Sequence, residues 1–203
     1  MTFIYNEETR IHTLNGKVIP SVSQVIAPLS DFSMVSASVL ARKTELGNQF
    51  HEACHLHIID DLLFDSLDPD LVKPMNTFIN WWSGFSDNYD NSNIVPETPG
   101  YHKTLKYCGK PDLEIQDEHF PALFDWKLRG YLPVVDTLKL EAYNHMLSRK
   151  NYDLWTVCFD LEGGFRMHCS RNKYAWGIYR KLLERYNSEL EFHETMNKWK
   201  GMN

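Results

Sequence analysis

Three residues whose side chains could act together in catalysis lie close in the sequence: Asp112, Asp125 and Lys127. The pattern around them predicts a β-hairpin with strands at residues 107–116 and 122–128, because both segments are strand-like and the polar segment between them is typical of a turn. A turn centred on the middle of that segment places Asp112 directly opposite Asp125. The sequence therefore predicts that the two carboxylates meet across the hairpin.

Two carboxylates this close repel each other unless a cation lies between them. Directly paired residues of neighbouring strands have Cβ atoms about 5 Å apart, where like charges destabilise the pair. Lys127 follows Asp125 by two positions and therefore projects from the same face, while Trp126 projects from the other. Oxygen ligands beside a fixed ammonium suit Mg²⁺ or Mn²⁺ together with an anionic, phosphate-bearing substrate.

The competing interpretation is a solvated hairpin whose charges only keep it soluble. Asp125 argues against it, because it lies in the apolar run at 122–126, where an unpaired charge would be costly to bury. Pro111 argues against it too, since proline ends the regular ladder of strand hydrogen bonds, which an exposed polar strand has no need to do. Both observations favour a functional site over a solvated hairpin.

The elements that must position these residues are predicted from hydrophobic periodicity and turn residues. Helices and strands are interspersed along the chain, which predicts an α/β or α+β protein with helices flanking a mixed sheet. Helices are predicted at residues 20–26, 36–61, 71–85, 132–150 and 172–199. Further strands are predicted in a hairpin at 10–19 around Asn15-Gly16, once or twice within 94–108, and in a second hairpin formed by 152–161 and 164–169.

Five segments resemble the PD-(D/E)xK nuclease superfamily, and within it the RecB-like and phage-type exonuclease branch, which includes mitochondrial genome-maintenance exonucleases. The signature is matched by Pro111-Asp112 followed by Asp125-Trp126-Lys127. The other segments, in the order found in that branch, are 20–26, 41–51, 95–97 and 139–143. Two depart from its pattern: Asn48 replaces a threonine in the GTxxH helix start, and Lys139 replaces a glutamine in the QxxxY helix.

The resemblance implies a restriction-endonuclease-like core of αβββαβ order in a single nuclease domain at 1–203. Within it, residues 1–35 would form an N-terminal hairpin and short helix, 36–170 the catalytic core, and 171–203 a C-terminal helix. The resemblance also implies a set of metal ligands, namely the side chains of His51, Glu97, Asp112 and Asp125 and the main-chain carbonyl of Trp126.

Roles for the remaining residues follow from the same resemblance. Asp112, Asp125 and Lys127 would be catalytic, and Lys127 would stabilise the charged transition state, because a lysine is ordinarily protonated at neutral pH. Tyr143 would contact DNA or support the site from its helix. Lys139 has two interpretations: it could contact a phosphate, or it could be an ordinary exposed helix residue. The implied substrate-binding residues are Tyr143, Lys139, Arg129 and Lys110.

The activity implied is that of a Mg²⁺-dependent exonuclease, with Mn²⁺ able to substitute, which hydrolyses phosphodiester bonds of linear DNA in recombination or repair. It would work with one metal ion, or with two about 3.5–4 Å apart. A single-strand annealing or recombination protein is the partner implied. Some RecB-like nucleases carry an iron–sulfur cluster on a tight C-terminal group of cysteines; Cys54, Cys108, Cys158 and Cys169 form no such group, so no cluster is expected.

The composition limits the classes of protein to which the chain can belong. A chain of 203 residues that is 43% hydrophobic and 13% aromatic has the composition of a globular domain. Its net charge of −6 is unusual for a protein that binds nucleic acid, and predicts modest non-specific affinity with a strong dependence on metal. Without an apolar run of about 18 residues or a signal-peptide pattern, we expect a cytoplasmic protein, bacterial or in a phage-infected cell, that does not enter membranes.

Two other classes of function compete with this hypothesis. The run His51-Glu52-Ala53-Cys54-His55 matches HExxH, which would make the chain a zinc metallohydrolase with Glu52 as general base. The longer zincin pattern fails, because Ile58 stands where it requires glycine and Asp61 where it requires a third histidine. The other class is a non-catalytic DNA-binding module of nuclease fold, against which the intact set of two aspartates and one lysine argues.

Overall fold

The computed structural model describes residues 2–6, 9, 11–147 and 152–200, and within these it contains ten strands and five α-helices. The strands are β1 (Phe3–Tyr5), β2 (His12–Leu14), β3 (Lys17–Ile19), β4 (Ile94–Pro96), β5 (Gly100–Tyr101), β6 (Cys108–Gly109), β7 (Leu113–Ile115), β8 (Ala122–Leu128), β9 (Asp153–Phe159) and β10 (Phe165–Cys169). The helices are α1 (Val22–Ile26), α2 (Ala37–Ile58), α3 (Val72–Ser86), α4 (Val134–Leu147) and α5 (Ala175–Lys200).

A five-stranded mixed sheet forms the centre of the molecule, with the strand order β10-β9-β8-β7-β4. Strands β8 and β9 are parallel and are joined by α4, while the other neighbours in the sheet are antiparallel. A parallel pair needs a crossover of this kind, because a tight turn can only join antiparallel strands. The protein is therefore a mixed α/β structure, which confirms the expected class.

The sheet separates two hydrophobic cores because successive side chains of a strand point to opposite faces. On one face, Phe124 and Trp126 of β8 pack against α2 and α3. On the other face, Leu123 of β8 and Leu154 of β9 pack against α1, α4 and the first turns of α5. Asp125 and Lys127 alternate with the aromatic residues and so belong to the face that α4 covers.

The predicted hairpin is confirmed in its register but not in the length of its first strand. Leu113 pairs with Phe124, so continuing the register by one residue brings Asp112 opposite Asp125. The prediction of one continuous strand over 107–116 is wrong, since β6 ends before β7 begins and pairs with β5 in a separate two-stranded sheet. Pro111 lies in the gap, where its missing N–H interrupts the ladder.

In the N-terminal segment, the turn and capping residues determine where the strands and the first helix begin and end. Asn15 and Gly16, with φ of 51° and 76°, connect β2 to β3 through the left-handed backbone that favours Asn-Gly in tight hairpins. Ser21 caps α1 in a capping box with Gln24. Strand β1, which adds to β2, is a strand that the sequence pattern does not predict. Position 10, where the predicted hairpin begins, lies outside the described residues.

The long helices begin and end close to the predicted positions. Ser36 accepts a hydrogen bond from the Val39 N–H and so starts α2, which then continues unbroken through Gly47. The predicted end of the fourth helix at position 150 lies outside the described residues. In α5 the buried residues are confined to the first half of the helix. None of the described helices combines the length and the apolar character needed to cross a membrane.

Candidate functional site

Asp125 lies at the centre of the candidate site and is fully buried on β8. One of its carboxylate oxygens, Oδ1, accepts a hydrogen bond from the Lys139 ammonium at 2.5 Å. The other, Oδ2, forms an ion pair with Lys127, whose ammonium also donates to the main-chain carbonyl of Trp126 at 3.1 Å. Each oxygen of this buried carboxylate is thus in contact with the ammonium of a different lysine.

Asp112 lies beside Asp125 and is held from two directions. Its Oδ1 lies 3.1 Å from Nδ1 of His51 on α2, and its Oδ2 accepts the Trp126 N–H at 2.6 Å. The Trp126 bond crosses the hairpin at the point where the strand ladder has ended, so the Asp112 side chain replaces a main-chain acceptor there. The interrupted ladder therefore orients the carboxylate.

The charges of this group set the ionisation of each member. Burial alone would raise the pKa of Asp112, but the neighbouring His51 imidazole opposes it and the pKa ends below the ordinary value. Burial would also raise the pKa of Asp125, and the two lysines more than reverse this, so its pKa lies well below the usual range. Both carboxylates are therefore ionised at neutral pH.

The two lysines beside Asp125 are affected in opposite directions. For Lys127, burial is the larger effect and lowers the pKa below that of an ordinary lysine, despite the attraction of Asp125. For Lys139, burial also acts to lower the pKa, but the attraction of Asp125 exceeds it and the pKa ends well above the ordinary value. Lys139 is therefore the more firmly charged partner of the carboxylate.

Glu97 approaches the same region from the end of β4. Its φ of 49° lies in the left-handed region, which turns the chain sharply after the strand. Its N–H donates to the main-chain carbonyl of Asp112 at 3.2 Å, and its Oε2 accepts from the Lys110 ammonium at 2.7 Å. His55 Nδ1 lies 4.0 Å from the same oxygen. Glu97 and Lys110 are therefore bound to each other, and Lys110 does not extend freely toward solvent.

The sequence left two interpretations of Lys139 open. One of them, an ordinary exposed helix residue, is wrong. Its side chain is only 15% exposed and points from α4 to Asp125, with the ammonium 5.6 Å from the centre of the Tyr143 ring. Tyr143 is itself buried and supports Lys139 from the next turn of the helix. The i, i+4 spacing of these two residues could have predicted their contact, but not that α4 would place them on Asp125.

A close backbone approach holds Tyr143 in place. A Cβ atom added to Gly109 of β6 would come within 2.3 Å of the Tyr143 ring. The ring therefore needs glycine at this position, since no ordinary non-bonded contact is so short. This fixes the distance between α4 and the segment that leads into Asp112.

Two acidic residues near the site were not predicted from the sequence. Asp136, in the first turn of α4, is buried and forms an ion pair with Arg129, so that Arg129 is engaged within the protein. Glu114 of β7 is also buried and accepts a hydrogen bond from the Tyr152 hydroxyl. Both have apolar neighbours in the sequence, where burial of an acid without a partner would be costly, and that was the available signal.

The HExxH run is one continuous part of α2. His51 and His55 share the face of the helix that looks toward the hairpin, and contact Asp112 and Glu97 respectively. Glu52 instead lines a separate surface cavity together with Leu56 and Leu71. The proposed general base of a zinc hydrolase is thus on a different side of the helix from the two histidines.

The predicted metal ligands provide suitable atoms for a hard divalent cation: carboxylates, an imidazole and a main-chain carbonyl. They lie in one region, but in the part of the chain that the structure describes, His, Cys, Asp and Glu side chains do not gather in threes as a ready metal cluster. Lysines contact these carboxylates instead: Lys110 holds Glu97, while Lys127 and Lys139 hold Asp125. The donor types are those that such an ion takes, but in the structure lysine ammonium groups contact the carboxylates of Glu97 and Asp125.

Comparison with known families and with curated protein sequences finds no match for this chain.

Proposed function

We propose that this protein is a metal-dependent nuclease that hydrolyses phosphodiester bonds of DNA, acting as an exonuclease on linear ends. The observation that carries the proposal is the meeting of Asp112, Asp125 and Lys127 at one place, with His51 on Asp112. A buried pair of ionised carboxylates beside an ammonium is a costly arrangement for stability alone. It suits a site that receives a divalent cation and a phosphate.

The order of the elements supports the same proposal. After α3 the chain forms the antiparallel strands β4, β7 and β8 of the central sheet, with β5 and β6 of the separate two-stranded sheet between β4 and β7, and then crosses through α4 to the parallel strand β9. This agrees with the αβββαβ order of the restriction-endonuclease-like core that the sequence resemblance implies. Of the signature residues, Asp112 lies just before the second strand of that order, β7, and Asp125 lies on the third, β8.

Hydrolysis of a phosphodiester adds water to phosphorus and breaks one P–O ester bond, leaving a phosphate on one fragment and a hydroxyl on the other. A divalent ion held by Asp112, Asp125, Glu97, His51 and the Trp126 carbonyl would supply the Lewis acid for this reaction. Lys127 contributes a charge fixed beside Asp125, which offsets the negative charge that develops on the phosphate oxygens. His51 orients Asp112 through its Nδ1.

The experiment that tests the proposal follows the fate of end-labelled linear DNA beside a closed circular control, with Mg²⁺, Mn²⁺, Zn²⁺ or EDTA. We expect loss of the linear DNA with Mg²⁺ or Mn²⁺ and none with EDTA, and persistence of the circle. Asp125→Ala protein, purified in parallel, should be inactive, which excludes a contaminating nuclease. Failure to cleave either substrate with any of these metals would contradict the proposal.

A further inference from the structure

The central sheet has β4 at one edge and β10 at the other, and the two edges differ in how open they are. Strand β4 is three residues long and half-buried, and it ends on Pro96, which has no N–H to offer a further strand. Strand β10 is five residues long, contains neither proline nor lysine, and pairs with β9 without a bulge. Strand β10 therefore lacks the features that usually keep an edge strand from pairing with another chain.

The main-chain groups of β10 alternate in direction. Just beyond the strand pair, the Ser170 N–H donates to the Leu154 carbonyl at 2.7 Å. In an antiparallel pair every second residue bonds the partner strand, so the even-numbered residues of β10 bond β9. Among the described residues, β9 is the one strand that pairs with β10. The N–H and C=O groups that point outward from the sheet are those of Phe165, Met167 and Cys169.

The side chains of these three residues lie on one face of the sheet and are incompletely covered. Phe165 stacks on Phe159 of β9, with ring centroids 6.1 Å apart, at the margin of the core beneath α2 and α3. Phe165 and Met167 are still 45% and 38% exposed, and Cys169 is exposed too. On the opposite face Arg166 is also exposed. Neither layer of helices therefore closes off this edge.

A second copy of β10 matches the edge when it runs antiparallel and places its Met167 opposite Met167 of the first copy. In that register Phe165 lies opposite Cys169 of the other copy, so the outward-pointing positions pair only with one another. Each such pair exchanges two main-chain hydrogen bonds. Apolar side chains then adjoin on one face, while Arg166 lies opposite His168 on the other, without an acid or a second arginine beside it. The edge of β10 is thus complementary to itself.

We propose that the protein forms a symmetric dimer through β10, in which the two five-stranded sheets join into one. A contact between identical edges closes on itself with two-fold symmetry and leaves no strand edge at the junction. One strand from each copy is a small interface, so the dimer dissociates on dilution. The inference does not depend on the proposed function. Because the two-fold axis is perpendicular to the joined sheet, Asp125 of both copies lies on the same side of it.

The test follows the mass of the full chain by sedimentation velocity from about 1 μM to about 0.5 mM. The wild-type protein should pass from monomer to dimer as its concentration rises. Met167→Pro removes an outward N–H and leaves the bonds to β9, while Met167→Lys places two like charges directly opposite each other. Each should weaken dimerisation at least roughly tenfold. Met34→Lys changes a methionine that is 96% exposed and lies outside the sheet, and should dimerise as the wild type does.

Amide hydrogen exchange, measured over the same concentrations, identifies the strand that pairs. Exchange at Phe165, Met167 and Cys169 should slow as the wild-type concentration rises and should not do so in Met167→Lys. A wild-type chain that stays monomeric throughout overturns the inference. A dimer that survives both Met167 substitutions also overturns it, because the contact then lies elsewhere. Slow exchange at the three amides in the monomer overturns it as well, because a segment of the same chain then covers the edge.

Discussion

At the scale of single residues, the site is an arrangement of charges that are stable only together. Asp125 is buried without access to water, and such a carboxylate would be neutral if its surroundings were apolar. The lysines on either side keep it ionised, and it in turn keeps Lys139 charged. Removing Asp125 leaves two buried ammonium groups without the carboxylate they share, which is why its substitution has a large expected effect on stability.

Replacement of Lys127 tests the role proposed for it toward the phosphate of the substrate. We expect Lys127→Met, which preserves bulk, to lower the rate of single-turnover DNA cleavage by about 10²–10³-fold, because the charge that offsets the phosphate is lost. Binding of DNA should change far less than the rate. Lys181→Met on the surface of α5 serves as control. Cleavage by Lys127→Met at the wild-type rate would remove this residue from the mechanism.

The ionisation of Asp125 predicts how the metal-free protein responds to acid. Its pKa is lowered in the folded state, so its contribution to stability is present above the ordinary aspartate value of about 3.9 and is lost as the pH falls through the lower folded-state value. Asp112 acts in the same direction, while Asp136, whose pKa burial raises, acts in the opposite one.

Urea unfolding in EDTA, repeated from neutral pH into acid, measures this contribution. Asp125→Asn should be less stable than the wild type at neutral pH by about 3–5 kcal/mol, because two lysines lose their partner. Its stability should also fall less steeply below about pH 4. Parallel stability curves for the two proteins would show that the carboxylate is not held by the lysines.

At the scale of elements, the site forms where regular structure is interrupted. Strand β6 ends at Gly109 and β7 begins at Leu113, and the interval between them contains Lys110 and Asp112. The interruption frees the Asp112 side chain to accept the Trp126 N–H that a continuous ladder would have satisfied. Helices α2 and α4 then bring His51 and Lys139 to the two carboxylates from either side.

Replacement of Gly109 tests whether the close approach of the Tyr143 ring on α4 contributes to stability. Gly109→Ala should destabilise the protein by about 1–3 kcal/mol, since its Cβ would overlap the buried Tyr143 ring. Because that ring supports Lys139, DNA cleavage should fall as well. Gly47→Ala is the matched control, because a Cβ there meets nothing within 4 Å and glycine is unfavourable inside a helix, so it should stabilise by about 0.5–1 kcal/mol. Both values come from urea unfolding; equal stability of the two variants would contradict this packing.

The sequence predicted features that depend on contacts between residues close in the chain. It did not predict features that depend on contacts between distant segments. The pairing of Asp112 with Asp125 depends on one hairpin, whose turn and alternation are local, and the predicted register agrees with the structure. The position of Lys139 depends on how α4 docks on the sheet after a crossover, and no local pattern specifies that docking. The break between β6 and β7 was signalled by Pro111, but its extent was set by pairing with β5.

At the scale of the whole molecule, the sheet divides the structure into two cores and leaves the charged group at the boundary of both. Trp126 and Phe124 face α2 and α3, while Asp125 and Lys127 face α4. The net charge of −6 is therefore a poor guide to the site, where acids and cations are closely paired. If the protein binds DNA as proposed, a chain with this overall charge would depend on local contacts and on metal for that affinity.

Two buried acids, one just before β7 and one on it, allow the central claim to be tested with a matched pair of variants. Asp112 and Glu114 are 8% and 1% exposed and two positions apart, but Asp112 meets His51 and Asp125 while Glu114 bonds the Tyr152 hydroxyl. The measurement is the single-turnover rate of linear DNA cleavage with Mg²⁺. We predict that Asp112→Asn loses about 10²–10³-fold or more and that Glu114→Gln stays within a few-fold of wild type. The account would be contradicted if Asp112→Asn cleaved DNA at the wild-type rate, or if the two variants lost the same fraction of that rate.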